Sequence, residues 1–200
     1  MTRWAQAFEK LTYAPAGLSS NSRGRQDLGV TIIQTPGHTP DELAWFDHAE
    51  MCLFVGDSLY HEGEDGMPIL WPSEGNMIEW VFSMQKLKSF VNSVNAKAMS
   101  FNADEGDEDV DDWVRVAKRV QICCAHQTAL VDGEQILADV ENFWWRTVRG
   151  EVPVVKSHCN MGEVYDLWRG ETTAQRKLSF GAPRRLMIEA RAFFSAESGL

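Results

Sequence analysis

The sequence lacks the segments that would place a protein in or across a membrane. No apolar run approaches the ~20 residues that a membrane-spanning helix needs. The first residues, Met-Thr-Arg-Trp-Ala-Gln, lack the apolar core of a signal peptide. We therefore expect no association with a membrane.

Positive charge is also scarce. The 200 residues include 19 Lys and Arg against 29 Asp and Glu, which gives a formal net charge of −10 at pH 7. Because nucleic-acid phosphates attract a basic surface, this balance argues against nucleic acid as a partner. An acidic surface is better suited to a small neutral substrate.

Cysteines are few and lack the spacing of a thiolate zinc site. There are four, of which Cys123 and Cys124 are adjacent, and no two are separated by two residues. This pattern argues against zinc held by thiolates. It favours reduced thiols, and so a cytoplasmic protein.

The remaining composition is that of a packed domain. Hydrophobic residues make up 44% of the chain, and eight residues are tryptophan. A chain of this length and apolar content favours a single domain over residues 1–200, with an α/β alternation of elements.

Three apolar strands each end just before a side chain that can bind metal. Val30–Gln34 precedes a Pro-Gly turn and His38, Met51–Val55 precedes Gly56 and Asp57, and Val120–Ala125 precedes His126. Strand ends hold side chains rigidly, so His38, Asp57 and His126 at one sheet edge would form a metal site. The alternatives are a turn histidine, an Asx-turn aspartate and a histidine at a strand end.

The motif Pro36-Gly37-His38-Thr39-Pro40, followed by Gly56-Asp57 and a late strand ending in His126, resembles the C-terminal half of a metallo-β-lactamase-fold hydrolase. The resemblance covers residues 28–150. It implies an α/β fold, namely a partial αββα sandwich that is mainly the second sheet with its flanking helices. It also implies a site for one or two zinc ions, in which His38 completes the first metal's three histidines, Asp57 bridges the metals and His126 binds the second.

Proteins of this family also carry a His-x-His-x-Asp-His motif, which this sequence lacks. The five histidines are His38, His48, His61, His126 and His158. No two of them are two residues apart, and none precedes His38. We therefore expect a domain truncated at its N-terminus.

The family resemblance implies hydrolysis by a zinc-activated water that attacks an ester, thioester or lactone bond, with Asp57 as the catalytic residue. His61 and Trp71 lie on the loop that borders the site in the family, so they are candidate contacts for a small-molecule substrate. The alternatives for these two are an exposed loop histidine and a packing tryptophan. The alternative function is a catalytically inactive remnant that acts as a binding or structural domain.

An isolated half of a sandwich would leave an apolar sheet face uncovered. Ile32, Leu53 and Val55 are expected to be under-covered, so a partner or a missing N-terminal segment would complete the core.

The other elements are predicted from periodicity and capping residues. Trp4, Phe8 and Leu11 have helical spacing, and the Gly- and Ser-rich residues 13–29 predict a loop. Residues 43–55 predict a hairpin, and residues 96–101 predict a strand. Asn76, Asp132 and Pro183 mark the starts of helices.

An acidic run over residues 104–112 leads into a further predicted helix, with Val110, Trp113, Val114 and Ala117 at helical spacing. Carboxylates favour the start of a helix. A calcium-binding loop is disfavoured, because the run lacks the glycine and the closing glutamate that such a loop needs.

Overall fold

The computed structural model describes residues 6–13, 25–61, 67–104, 118–126, 128–170 and 178–198. Over these residues the strands are β1 (Glu9–Tyr13), β2 (Gln26–Gln34), β3 (Leu43–Asp47), β4 (Cys52–Phe54), β5 (Ile69–Leu70), β6 (Gln121–Cys123), β7 (Val131–Asp132), β8 (Val154–Asn160), β9 (Glu163–Arg169) and β10 (Ser179–Pro183). The helices are α1 (Met77–Asp104), α2 (Gly133–Val148) and α3 (Arg184–Ser198).

The first sheet has six strands in the order β1-β2-β3-β4-β6-β7. Alternate residues of its central strands point into the core, and Ile33, Ala44, Phe46, Leu53 and Ile122 are all fully buried there. All neighbours are antiparallel except β4 and β6, which are parallel. The carboxyl ends of β4 and β6 therefore lie at the same edge of the sheet.

The second sheet has four strands in the order β5-β10-β9-β8. β10 is buried along its whole length, whereas every residue of β8 is exposed. Helix α3 packs on β9 and β10. The predicted α/β class is confirmed, with two sheets and three helices in the described residues.

Helix α1 joins the two sheets through aromatic contacts. Phe90 meets Phe46 of the first sheet edge-to-face, with ring centroids 5.1 Å apart. Trp80 meets Trp71 and Phe180 on the side of the second sheet, at 5.0 and 5.6 Å. Such pairs add to the energy of burying large rings. The buried residues of α1 and of both sheets therefore form one continuous hydrophobic core.

The predicted helix starts are confirmed. The Asn76 side chain accepts hydrogen bonds from the backbone N–H groups of Ile78 and Glu79 at 2.9 and 3.1 Å. Asp132 accepts from Gln135 at the start of α2. These bonds satisfy donors that have no partner within the helix. Helix α3 begins directly after Pro183.

Several predicted elements are wrong. Phe8 and Leu11 do not lie in a helix, because residues 9–13 form β1 and pair with β2, which itself begins within the predicted loop. Residues 96–101 belong to α1, since Ala96, Lys97 and Met99 are good helix formers that continue its hydrogen bonding. The acidic run from residue 105 onward and the helix predicted through Ala117 lie outside the described residues.

The expected under-covering of Leu53 and Val55 is also wrong. Both are fully buried in the same cluster as Met84 and Leu87 of α1, which covers this face of the sheet. The opposite, outer face of the first sheet is less well covered. There Ile32 is half-buried, and Leu43 and Trp45 are 42% and 39% exposed.

No helix in the described part of the chain is both long enough and apolar enough to cross a membrane.

Candidate metal and catalytic site

Asp57 and His126 form the centre of the candidate site. Asp57 follows β4 and His126 follows β6, and Asp57 Oδ1 lies 3.2 Å from His126 Nε2. The strand pairing continues to this edge, because the N–H of Ala125 donates to the Gly56 carbonyl at 2.9 Å. The two side chains are 39% and 52% exposed. The parallel strands thus present a carboxylate and an imidazole together at a surface that a ligand can reach.

Glu42 lies behind this pair, in the turn before β3. Its Oε1 accepts the backbone N–H of Asp57 at 2.9 Å. Gly56 allows the approach, because a Cβ there would lie 2.6 Å from Glu42 Oε1, and its φ of +57° is costly for other residues. The Gly-Asp pair of the motif therefore has a structural reason in this chain: glycine admits the carboxylate that fixes the backbone of Asp57.

His38 is held by the same glutamate. Its Nδ1 donates to Glu42 Oε2 at 2.9 Å, and its Nε2 donates to the Leu70 carbonyl at 3.0 Å. Burial lowers the pKa of His38, but the hydrogen bond to Glu42 and the charges of Glu42 and Asp57 outweigh it. The net pKa is raised above the ordinary 6.5, which favours a doubly protonated ring.

The turn that carries His38 is fixed by helix α1. The N–H of Asn76 donates to the Gly37 carbonyl at 2.7 Å, and the Ser83 hydroxyl donates to the Pro36 carbonyl at 2.8 Å. A Cβ on Gly37 would lie 2.3 Å from the Trp80 Cα. The Pro-Gly-His turn therefore packs directly on the helix.

Tyr60 completes the cluster. Its hydroxyl donates to Asp57 Oδ1, and its ring lies 5.6 Å from that of His126. Burial and the Asp57 carboxylate raise the pKa of Tyr60 well above its usual range. Tyr60 is therefore a neutral hydrogen-bond donor that orients the Asp57 carboxylate.

The three predicted metal ligands differ in how readily they could bind an ion. Asp57 and His126 face each other and are accessible, whereas both ring nitrogens of His38 already have partners. Burial raises the pKa of the nearby Cys124 to about 12, so its thiol is neutral at neutral pH. Within the described ranges, no three His, Cys, Asp or Glu side chains are grouped so as to hold a metal ion.

The predicted substrate contacts lie in different surroundings. His61 is half-buried, and its backbone N–H donates to the Thr128 hydroxyl at 2.6 Å, which ties this loop to the segment after His126. Trp71 is fully buried against Trp80 and Phe180. A role for either residue in binding substrate stays a prediction.

Sequence reasoning missed Glu42 and Tyr60. Both lie close to the motif, Glu42 four residues after His38 and Tyr60 three residues after Asp57. An acidic side chain so near a candidate metal-binding histidine was the available signal for Glu42, because such histidines commonly donate to a carboxylate.

Comparison with known proteins gives limited likeness. No family model matches the chain. A protein of Aspergillus versicolor described as "Putative transcription factor avaE" is 22% identical over 187 residues, which cover 92% of this chain and 48% of that protein. The chain thus spans about half the length of this curated relative.

Solved structures give weak structural matches. A metallo-beta-lactamase family protein of Thermus thermophilus has a TM-score of 0.41 and 14% identity, covering 76% of this chain and 38% of that one. A metallo-beta-lactamase of Pontibacter korlensis has a TM-score of 0.40 and 12% identity, covering 68% and 46%.

Proposed function

We propose that this chain supplies part of a metal-dependent hydrolase site, in which Asp57 and His126 bind zinc. The observation that carries the proposal is their 3.2 Å approach at the accessible end of two neighbouring parallel strands. One carboxylate oxygen and one imidazole nitrogen are both ordinary zinc ligands. The motif residues around Asp57 add support from the sequence.

Bound zinc would supply a water whose pKa is lowered to about 7, and so a hydroxide at neutral pH. The residues of the chain would position the groups that react. Two hydrogen bonds fix the position of Asp57: its carboxylate accepts from the Tyr60 hydroxyl, and its backbone N–H donates to the Glu42 side chain. Held in this position, the Asp57 carboxylate could accept a hydrogen bond from such a water and orient it towards a substrate carbonyl.

His38 takes part in one of two ways. As a metal ligand it would first have to release the Leu70 carbonyl from Nε2. As it stands, it holds Glu42 in place, and Glu42 holds Asp57. The second role needs no rearrangement.

Further ligands would come from a partner or from another segment of a longer protein. The outer face of the first sheet supports this, because Leu43 and Trp45 are exposed there and Trp45 stacks on Phe54 at 3.9 Å. Covering this face would bury apolar surface next to the site. The substrate proposed is a small neutral ester, thioester or lactone, in keeping with the net charge of −10.

A second candidate function is a non-catalytic binding or structural domain. The specific observation in its favour is that Glu42 and Leu70 occupy both ring nitrogens of His38. In this reading the same polar cluster stabilises the sheet edge and binds no metal.

The test is zinc-dependent hydrolysis of a panel of thioesters and lactones by the purified chain, alone and with the additional segment that a longer homologous protein supplies. We expect turnover that falls at least about tenfold in Asp57→Asn and His126→Ala. His158→Ala is the matched control, because His158 is exposed on β8 in the other sheet. Equal activity in all variants would show that the turnover does not come from Asp57 and His126 and would contradict the proposed site. No activity under any condition with zinc present favours the non-catalytic domain.

A further inference from the structure

Two thiols meet on the six-stranded sheet. Cys52 lies on β4 and Cys123 on the neighbouring strand β6, and the Cys52 thiol donates to the Cys123 sulfur at an Sγ–Sγ distance of 3.4 Å. The register pairs Cys52 with Gln121 and Phe54 with Cys123. The two cysteines are therefore diagonal neighbours on one face of the sheet, and their side chains lean towards each other.

The two thiols differ in their access to solvent. Cys52 is 4% exposed, whereas Cys123 is half-buried. The backbone N–H of Leu130 donates to the Cys123 sulfur at 3.4 Å, which holds that sulfur beside Cys52. Burial and the neighbouring Cys123 raise the pKa of Cys52 to about 12, so Cys52 stays protonated at neutral pH. A small oxidant therefore reaches Cys123 first.

We propose that Cys52 and Cys123 are a reversible oxidation site that closes to a disulfide when the chain meets hydrogen peroxide or another hydroperoxide. The Cys123 sulfur attacks a peroxide oxygen, the O–O bond breaks, and a sulfenic acid forms. The other oxygen leaves with the Cys123 thiol proton, as water from hydrogen peroxide or as the alcohol from an organic hydroperoxide. The Cys52 sulfur then attacks the Cys123 sulfur, the S–S bond forms, and the sulfenic hydroxyl leaves as water with the Cys52 thiol proton. The two thiols lose two electrons, and the peroxide gains them.

Closing the bond brings the two sulfurs from 3.4 Å to the S–S length of about 2.0 Å. Diagonal neighbours on paired strands have Cα atoms roughly 7–8 Å apart, which is above the usual range for a disulfide. The short strands β4 and β6 must therefore shift towards each other at this point in addition to rotation of the two side chains. The other two thiols lie elsewhere: Cys124 follows the end of β6 and packs against the hydrophobic core, and Cys159 is exposed on β8 in the other sheet.

The experiment treats the whole chain with hydrogen peroxide, removes the peroxide, alkylates free thiols in denaturant and maps the peptides by mass spectrometry without reduction. We expect two of the four thiols to be lost, a Cys52 peptide linked to a Cys123 peptide, and full reversal by dithiothreitol. Cys124→Ser is the matched control and should lose the same two thiols.

Two variants probe the order of the steps. In Cys52→Ala, a dimedone adduct should accumulate on Cys123, because the thiol that we propose resolves the sulfenic acid has been removed. In Cys123→Ser, Cys52 should be alkylated in full after the same treatment. A link from Cys123 to Cys124, dimers linked through Cys159, or Cys123 oxidised to sulfinic acid while Cys52 stays free in the wild-type chain would each overturn the proposal. The wild-type map gives this answer even if a variant fails to fold.

Discussion

At the scale of single residues, Glu42 organises the candidate site. One carboxylate oxygen accepts from His38 and the other accepts from the backbone of Asp57, so one side chain joins two of the motif residues. The Glu42 side chain is 8% exposed, so its charge acts on His38 with little screening by solvent. The protonation state of the His38 ring therefore depends on Glu42.

Replacing Glu42 by Gln tests this dependence. The variant keeps the shape of the side chain but removes the negative charge, so the pKa of His38 should fall towards or below 6.5. The measurement is an NMR titration of the His38 ring protons. Glu50→Gln is the control, because Glu50 is an exposed partner of Lys118. An unchanged His38 titration in Glu42→Gln contradicts the assigned role.

Asp166 should make stability depend on pH. It is 4% exposed, and the hydrogen bond from Arg184 holds its pKa below the ordinary range. A carboxyl group with a lowered folded-state pKa stabilises the fold above its unfolded pKa, and the effect is lost as pH falls through the folded value. Asp166→Asn should therefore lower Tm at pH 7, and the difference from wild type should shrink below about pH 4. A difference that stays constant down to pH 2.5 would contradict this assignment.

At the scale of elements, the sequence predicted correctly those features that depend on residues close together in the chain. The Asn76 and Asp132 caps and the hairpin of β3 and β4 depend on nearby residues, and all three were predictable. The strand β1 was not, because the spacing of Phe8 and Leu11 suits a helix and pairing with β2 overrides it. Strand β8 gave no alternating apolar signal, since it is exposed on both faces.

The packing of the Pro-Gly-His turn on α1 predicts a large effect of Gly37→Ala. Gly37 has a φ of +142°, and an added Cβ would lie 2.3 Å from the Trp80 backbone. We expect a loss of about 2–4 kcal/mol in the free energy of unfolding, from backbone strain plus overlap. Gly150→Ala is the control, because it has a φ of +79° with nothing within 4 Å, and it should lose about 1–2 kcal/mol. If urea unfolding shows equal losses of unfolding free energy in the two variants, α1 moves aside and the predicted overlap at Gly37 is contradicted.

At the scale of the whole molecule, one aromatic core connects the two sheets to the candidate site. Trp80 packs on Trp71 and Phe180, and its Nε1 donates to the Ser58 carbonyl, next to Asp57, at 2.8 Å. The sequence predicted a tryptophan-rich core from composition. It could not predict which rings meet, because these contacts join residues that are far apart in the chain.

Trp80→Phe should show how far the site depends on this core. The variant keeps an aromatic ring but leaves the buried Ser58 carbonyl without its donor, which costs about 1–3 kcal/mol. Trp45→Phe is the control, because Trp45 is 39% exposed on the outer face, and it should change stability by less than about 0.5 kcal/mol. Similar effects of the two substitutions on urea unfolding would contradict a special role for Trp80.

Three of the residues singled out by the motif lie at the predicted sheet edge, but their grouping differs from a complete ligand set. Asp57 and His126 meet directly, whereas Glu42 stands between His38 and Asp57. The parallel pairing of β4 and β6 explains the meeting of Asp57 and His126. The position of Glu42 could not be derived from spacing alone, because it depends on how the turn before β3 folds back on Gly56.

The most direct test of Asp57 and His126 as metal ligands is zinc binding to the metal-free chain, alone and with the additional segment, measured by competition with a chromophoric chelator. We expect one zinc ion per chain, with affinity reduced at least about tenfold in Asp57→Asn and in His126→Ala and unchanged in His158→Ala. Cobalt substitution should give visible absorption bands that the same two variants lose. Zinc binding that survives both substitutions, or no binding by the wild-type chain either alone or with the additional segment, would contradict the assignment of Asp57 and His126 as metal ligands.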